Sequence, residues 1–255
     1  MMSNTLNVLA LFAHPDDAEF LCSGTLAHLA SRGACIHLAT MSAGDCGSTT
    51  LASSKIAALR QREAARAASL IGAQYRCLKG KDLLIFYDRP HLNKVMELVR
   101  QVRPSLVFTH SPVDYMADHE MVSRLIQTAC FGAMAPNYKT GHRHPAPPLP
   151  GVPHLYYADA FGRRDILGHK IASGIYVDIS KTLKRKEEML ACHESQQAWL
   201  KTQQEIPGTL LTMRKMSQEV GKSGGFRWAE GFRQHLGQGF PADNLLKKLL
   251  GRLVR

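Results

Sequence analysis

Four ionisable side chains fall within six residues at 14–19, His14-Pro15-Asp16-Asp17-Ala18-Glu19, directly after the apolar run Leu6–Ala13. Charge at the exit of a buried run is costly unless the groups share a task. A second cluster, Asp114-Tyr115-Met116-Ala117-Asp118-His119, follows another apolar run, Leu106–His110. Histidine and carboxylate are donors that catalytic zinc takes, typically three from the protein with a fourth position left for water. His14, one of Asp16 or Asp17, and His119 fill that count. The remaining aspartate is then free to act as a general base on the attacking water. A plainer account makes each cluster a turn or a helix cap, since Pro-Asp-Asp suits a turn and Asp118 suits a cap. Two such clusters at two matching run ends favour the metal site.

These clusters need strands to carry them. Leu6–Ala13 (LNVLALFA), Cys35–Met41 (CIHLATM) and Leu106–His110 (LVFTH) read as buried strands, with a weaker one at Gln74–Leu78. Between them lie helical stretches at Gly24–Gly33, Ser54–Ile71 and His119–Phe131, and another that starts at Pro90 and stops at Val102 before Pro104. Alternating strand and helix predicts a Rossmann-like, three-layer α/β/α fold with a mostly parallel sheet. Ligands of such sheets bind beyond the C-terminal strand ends, where both clusters fall. Residues 42–53 read as a loop and the Pro-, Gly- and His-rich segment 135–153 as a loop or flap, and both as the pocket rim. His142 and His144, in that segment, read as solvent-facing. Further strands are expected at His154–Ala158 and Ile175–Ile179, then one helix from about Lys181 to Gln204. From 205 onward we expect an irregular C-terminal extension closing in a short amphipathic helix near Leu245–Leu253. We read residues 1–255 as a single domain, without internal repeats.

Composition narrows the class. A chain of 255 residues with 45% hydrophobic and 21% charged residues is ordinary for a globular protein and needs no structural metal. Any metal is therefore expected to be catalytic. Net charge is +11, of which residues 151–255 carry +7. With no RNP-type motif, zinc-finger spacing or long basic run, this reads as a solvated basic face rather than a nucleic-acid surface. None of the six cysteines forms a C-x-x-C pair. The run Val8–Ala13 is too short for a leader, and no run reaches the length of a membrane span. We expect a cytoplasmic protein. A G-x-G-x-x-G after the first strand is missing, which argues against a dinucleotide-dependent dehydrogenase.

The residues also resemble a known family. AHPDDAE at 13–19 is similar to the AHPDDxE signature of the PIG-L/LmbE zinc-dependent deacetylases, and DYMADHE at 114–120 to their second metal motif. Arg60-Gln-Arg-Glu63 with Ala67 and Gly72 resembles the family's R-x-x-E helix. YVDIS at 176–180 with HESQ at 193–196, and WAEGFR at 228–233, resemble its later segments, the last as in bacillithiol-type members. The likeness runs from about residue 6 to 236. It implies zinc held by His14, Asp17 and His119, with Asp16 as general base, and Arg60 as a substrate-contacting residue. Asp118 would orient a neighbouring group, and the loop carrying Gly44, Asp45 and Gly47 would line the pocket. One departure matters: many members carry histidine where this chain has Met116, which cannot donate a hydrogen bond. His193 is the expected replacement as donor to the developing oxyanion. The activity so implied is removal of an N-acyl group, most simply N-acetyl, from a glucosamine-type sugar or related amine. The alternatives are a zinc amidase or esterase on a non-sugar substrate, or a non-catalytic binding protein of the same fold. The resemblance further implies a homo-oligomer.

Overall fold

A computed structural model describes residues 6–203 and 208–255. Seven strands form one sheet: β1 (Asn7–Phe12), β2 (Cys35–Ser42), β3 (Gln74–Gly80), β4 (Leu106–Thr109), β5 (His154–Ala158), β6 (Ile175–Asp178) and β7 (Ala229–Gln234). Their order is β3-β2-β1-β4-β5-β7-β6. The first five strands pair in parallel, and β7 lies antiparallel between β5 and β6. The expected Rossmann-like α/β fold with a mostly parallel sheet is therefore present.

The layering follows from strand periodicity. Successive β1 side chains point to opposite faces. Val8, Ala10 and Phe12 enter one buried cluster with residues of α2 (Ser23–Ala30), α3 (Ser53–Ser69) and α9 (Leu245–Leu250). Leu9, Leu11 and Ala13 enter the other, with α4 (Arg89–Val102) and α5 (Ala117–Gly132). A strand buried on both faces reads as a continuous apolar run, which is why LNVLALFA was legible as one. Sharp helix ends hold the layers in place. Asp88 caps α4, its Oδ1 accepting from His91 N–H at 2.8 Å. Pro90 occupies the first turn, and α4 ends at Arg103, in the left-handed region (φ 52°), before Pro104.

Two expectations need correcting. The single helix expected over Lys181–Gln204 is two, α6 (Leu183–Ala191) and α7 (Glu194–Gln203); Gln204 lies outside the described residues. Bonds from α3 divide them. Arg66 donates to the Cys192 carbonyl at 2.7 Å, while the Glu63 carboxylate accepts from Ser195 N–H at 3.0 Å and from its hydroxyl at 2.5 Å. Nor is the C-terminal part irregular where it is described: α8 (Thr209–Gly224) and β7 are regular, and β7 completes the sheet. Glu230 and Gly231 hid that strand, because neither favours one by propensity. Both are explained by burial. Glu230 accepts from Lys186 Nζ at 2.6 Å and from the Gly24 and Thr25 amides at 2.8 and 2.7 Å. A Cβ on Gly231 would fall 2.2 Å from Asp159 Oδ2. The short helix near Leu245 is present, with a 3₁₀ turn over Gly251–Leu253.

Candidate metal centre and its cavity

Strand order reverses between β1 and β4, and both acidic clusters emerge at the C-terminal ends of that pair, the crevice where open α/β sheets bind ligands. One donor atom from each of His14, Asp17 and His119 lies within 4.8 Å of the others. His14 Nδ1 is 3.4 Å from Asp17 Oδ2, and His119 Nε2 is 3.6 Å from Asp17 Oδ1. The outer nitrogen of each imidazole is held by its own carboxylate. His14 Nε2 lies 3.1 Å from Asp118 Oδ2, and His119 Nδ1 lies 2.9 Å from Asp114 Oδ1. Such bonds fix the tautomer and turn the inner nitrogens toward a shared point, the usual arrangement around ligating histidines. This donor set suits a divalent cation of the zinc type.

The electrostatics agree. Burial opposes charge on His14, yet hydrogen bonds it donates to Asp118 and Asp17, with Asp82 nearby, push its pKa up to about 10. Burial likewise opposes charge on His119, and Asp17 and Asp114 raise it nonetheless. Asp17, despite burial, is held well below the usual carboxylate range by His119 and His110. A surplus of carboxylates that recruits protons onto histidine is equally a surplus that a cation can satisfy. His110 is the exception: burial and the adjacent His119, stacked at 3.8 Å, push it down to about 4. Neutral at pH 7, His110 Nε2 accepts from the Ala13 amide at 3.0 Å and so braces the end of β1.

Asp16 is set apart from these groups. Its backbone is in the left-handed region (φ 96°), uncommon outside glycine. Its Oδ1 lies 3.3 Å from Arg60 Nη2, which also donates to the Pro15 carbonyl at 2.8 Å. Burial raises Asp16 to about 6 against the opposing pull of Arg60. A carboxylate with that affinity can take and return a proton near neutrality.

These groups line a cavity of about 580 Å³. Its other walls come from β-strand loops and from α7 and α8, and include Phe20, Cys46, Gly47, Leu83, Tyr115, Met116, Phe161, Gln196, Trp199 and Thr212. Several expected site residues sit differently. His193 is 1% exposed and is not part of the cavity wall; its Nε2 faces Glu19 Oε1 at 3.3 Å beneath α1 (Asp17–Leu21). The break between α6 and α7 turns it inward toward Glu19, within electrostatic reach of Asp16, and donation to the oxyanion stays an expectation from the sequence. Asp45 is also turned away, accepting from the Asp82 amide, Ser53 Oγ and Lys81 Nζ. Gly44 supports Arg60 instead of lining the cavity: at φ +73°, a Cβ there would lie 2.2 Å from Arg60 Nη1. Arg60 does reach the wall, but its Nη atoms already serve Pro15, Gly44 and Asp16. The segment 135–153 is no flap over the site. Arg100 takes the Ala133, Ala135 and Tyr138 carbonyls and Glu97 takes Thr140 and the Ala146 amide, tying it to α4. His142 and His144 within it are exposed, as expected.

Asp114, Asp82 and His110 were not singled out from the sequence. Asp114 was the most accessible of them, since it opens the same motif as His119 and a ligating histidine needs an orienting acceptor. Nothing local marked Asp82, which comes from the β3–α4 connection and lies 4.0 Å from His14 Nε2.

Residues 9–130 match the PIG-L family, described as GlcNAc-PI de-N-acetylase. A 4-oxalmesaconate hydratase of Pseudomonas putida is 26% identical over 199 residues, covering 75% of this chain and 74% of that protein. A probable N-acetyl-alpha-D-glucosaminyl L-malate deacetylase 2 of Bacillus anthracis is 24% identical over 241 residues, 90% of this chain and 94% of its own length. Among solved structures, N,N'-diacetylchitobiose deacetylase from Pyrococcus horikoshii superposes with a TM-score of 0.75 at 22% identity, covering 95% of this chain and 89% of that one.

Proposed function

We propose, from the match of residues 9–130 to the PIG-L family and the likeness to deacetylases, that this chain is a PIG-L/LmbE-like, zinc-dependent hydrolase of N-acyl amines, with a glucosamine-type sugar as the amine. The observation that carries the reading is the His14–Asp17–His119 donor cluster on a cavity floor with Asp16 beside it. A divalent cation at those donors supplies Lewis acidity, acidifying a water and polarising the scissile carbonyl.

The chain's own residues do the rest. Asp16 takes the proton of the attacking water as its oxygen bonds to the carbonyl carbon. It then returns that proton to the nitrogen as the C–N bond breaks, releasing a free amine and a carboxylate. Arg60 holds Asp16 in its uncommon backbone conformation. Asp114 and Asp118 keep the two imidazoles oriented. Met116 lies on the wall but offers no donor to the carbonyl oxygen. The neighbouring Tyr115, packed edge-on against His119 with ring centroids 5.4 Å apart, is the donor this chain offers in its place.

A second reading, hydration of a carbon–carbon double bond, is favoured by the Pseudomonas putida relative. The cavity argues against a substrate bearing several carboxylates. Among its described lining residues Arg60 is the one permanent cation, and its Nη atoms are engaged. The test is amine release from N-acetylglucosamine derivatives by the purified protein, before and after exhaustive chelation. We expect one tightly held zinc per chain, loss of amide hydrolysis on its removal and recovery on adding Zn²⁺. Full activity in metal-free protein would defeat the proposal.

A further inference from the structure

The cavity lining is of two kinds. Asp16, Arg60 and Gly47 form a polar part, with Gln196 Oε1 3.3 Å from where a Gly47 Cβ would be. In the apolar part, rings touch in sequence. Tyr115 lies against His119, Phe161 against Tyr115 with centroids 5.9 Å apart, and Phe20 against Phe161 at 5.3 Å. Leu83 and Met116 extend this wall. Phe161, Tyr115 and Leu83 remain 37%, 56% and 66% exposed, so apolar surface next to the reacting centre is left for a ligand to cover.

Chemistry fixes which part of an amide faces which wall. Asp16 must reach the leaving nitrogen, so the amine side lies toward Asp16 and Arg60. The acyl substituent lies across the carbonyl carbon from that nitrogen, and the exposed rings of Tyr115 and Phe161 are apolar surface open to it. An acetyl group ends in a single methyl and would leave most of those rings without contact. Resting on the amide-hydrolase reading above, we infer that the aromatic wall is an acyl-chain subsite and that the substrate carries an apolar acyl group larger than acetyl. The tyrosine hydroxyl meets the carbonyl end, and the Phe161 and Phe20 rings meet the chain.

Each methylene moved from water onto such a wall contributes roughly 4-fold (about 0.8 kcal/mol). Three buried methylenes therefore give roughly 60-fold, until the wall is covered. The experiment compares N-octanoylglucosamine with N-acetylglucosamine on the zinc-loaded protein. It measures kcat/KM by amine release and, separately, Kd by calorimetry on Asp16→Asn protein, which turns neither over quickly. We expect kcat/KM to favour octanoyl by about 50-fold or more. Phe161→Ala, a partly exposed position, should shrink the octanoyl-to-acetyl ratio by about 10-fold. Equal kcat/KM and equal Kd for the two sugars would overturn the inference, as would a ratio untouched by Phe161→Ala. Tighter octanoyl binding that Phe161→Ala removes, without amine release from either sugar, would keep the subsite and reject the amide-hydrolase reading on which the chemistry rests.

Discussion

Two adjacent aspartates are assigned opposite tasks, and substituting each by asparagine separates them. Asp17 offers its oxygens to the donor cluster and also accepts from the His14 amide at 2.7 Å. Asp17→Asn removes a negative charge from a site whose histidines are otherwise over-supplied with protons, so the metal should leave. Asp16 lines the same cavity, 3.3 Å from Arg60. Asparagine tolerates its left-handed backbone better than alanine does, and its carbonyl can still accept from Arg60. Asp16→Asn should therefore fold, keep its zinc and lose turnover by on the order of 10²–10⁴-fold, the usual worth of a general base. At about 1.4 kcal/mol per tenfold, that is roughly 3–5 kcal/mol of barrier. The assay pairs zinc content after gel filtration with amine release on the same preparation. Zinc lost from Asp16→Asn and retained by Asp17→Asn would mean the roles are reversed. Normal turnover by Asp16→Asn would remove the general base from the scheme altogether.

Three further outcomes follow from the same contacts. Asp118→Ala deletes the acceptor that orients His14, so zinc affinity should weaken by about 10–100-fold, read by chelator competition; unchanged affinity would contradict the orienting role. Lys186→Ala leaves Glu230 buried with backbone partners alone, and the unfolding free energy from a denaturant titration should fall by about 3–5 kcal/mol; a loss under about 1 kcal/mol would show the pair to be unimportant. His28 is held below 6.5 by burial, in spite of its bond to the Asp178 carbonyl. The unfolded chain therefore binds its proton more readily, and this contribution to stability is present above pH 6.5 and lost as pH falls toward the folded value. His28→Gln should flatten that part of the stability profile, and an identical pH slope in both proteins would refute the assignment.

The strands were legible because residues buried on both faces leave unbroken apolar runs, as at Leu9–Phe12, and the helix ends because Asp88, Pro90 and Pro104 act locally. What escaped depends on partners distant in sequence. The break at Cys192–His193 is made by Arg66 and Glu63, more than 120 residues earlier, so a continuous helical pattern gave no sign of it. That break also sets the place of His193, whose Nε2 faces Glu19 at 3.3 Å. The HESQ segment thus has a structural account, since Ser195 binds Glu63 and joins α7 to α3. β7 escaped for a related reason: its Glu and Gly look foreign to a strand until Lys186 and Asp159 are seen against them.

Proteins named for hydration and for deacylation share this chain's likeness, so the fold alone cannot select the reaction. Activating a water beside a cation serves either chemistry, and the floor formed by His14, Asp17 and His119 is compatible with both. Selection has to come from groups that meet the substrate away from the attacked atom. A polycarboxylate needs several cations there, and among the described lining residues Arg60, already hydrogen-bonded to Pro15, Gly44 and Asp16, is the one permanent cation. An amide with an apolar acyl group needs a general acid on its nitrogen side and apolar surface on its carbonyl side. Asp16 and the Tyr115–Phe161–Phe20 rings are the groups we propose for those two tasks. The same argument explains why Met116 is tolerable: with Tyr115 beside it, a thioether at that position adds to the apolar wall, where a histidine would have interrupted it with a polar group.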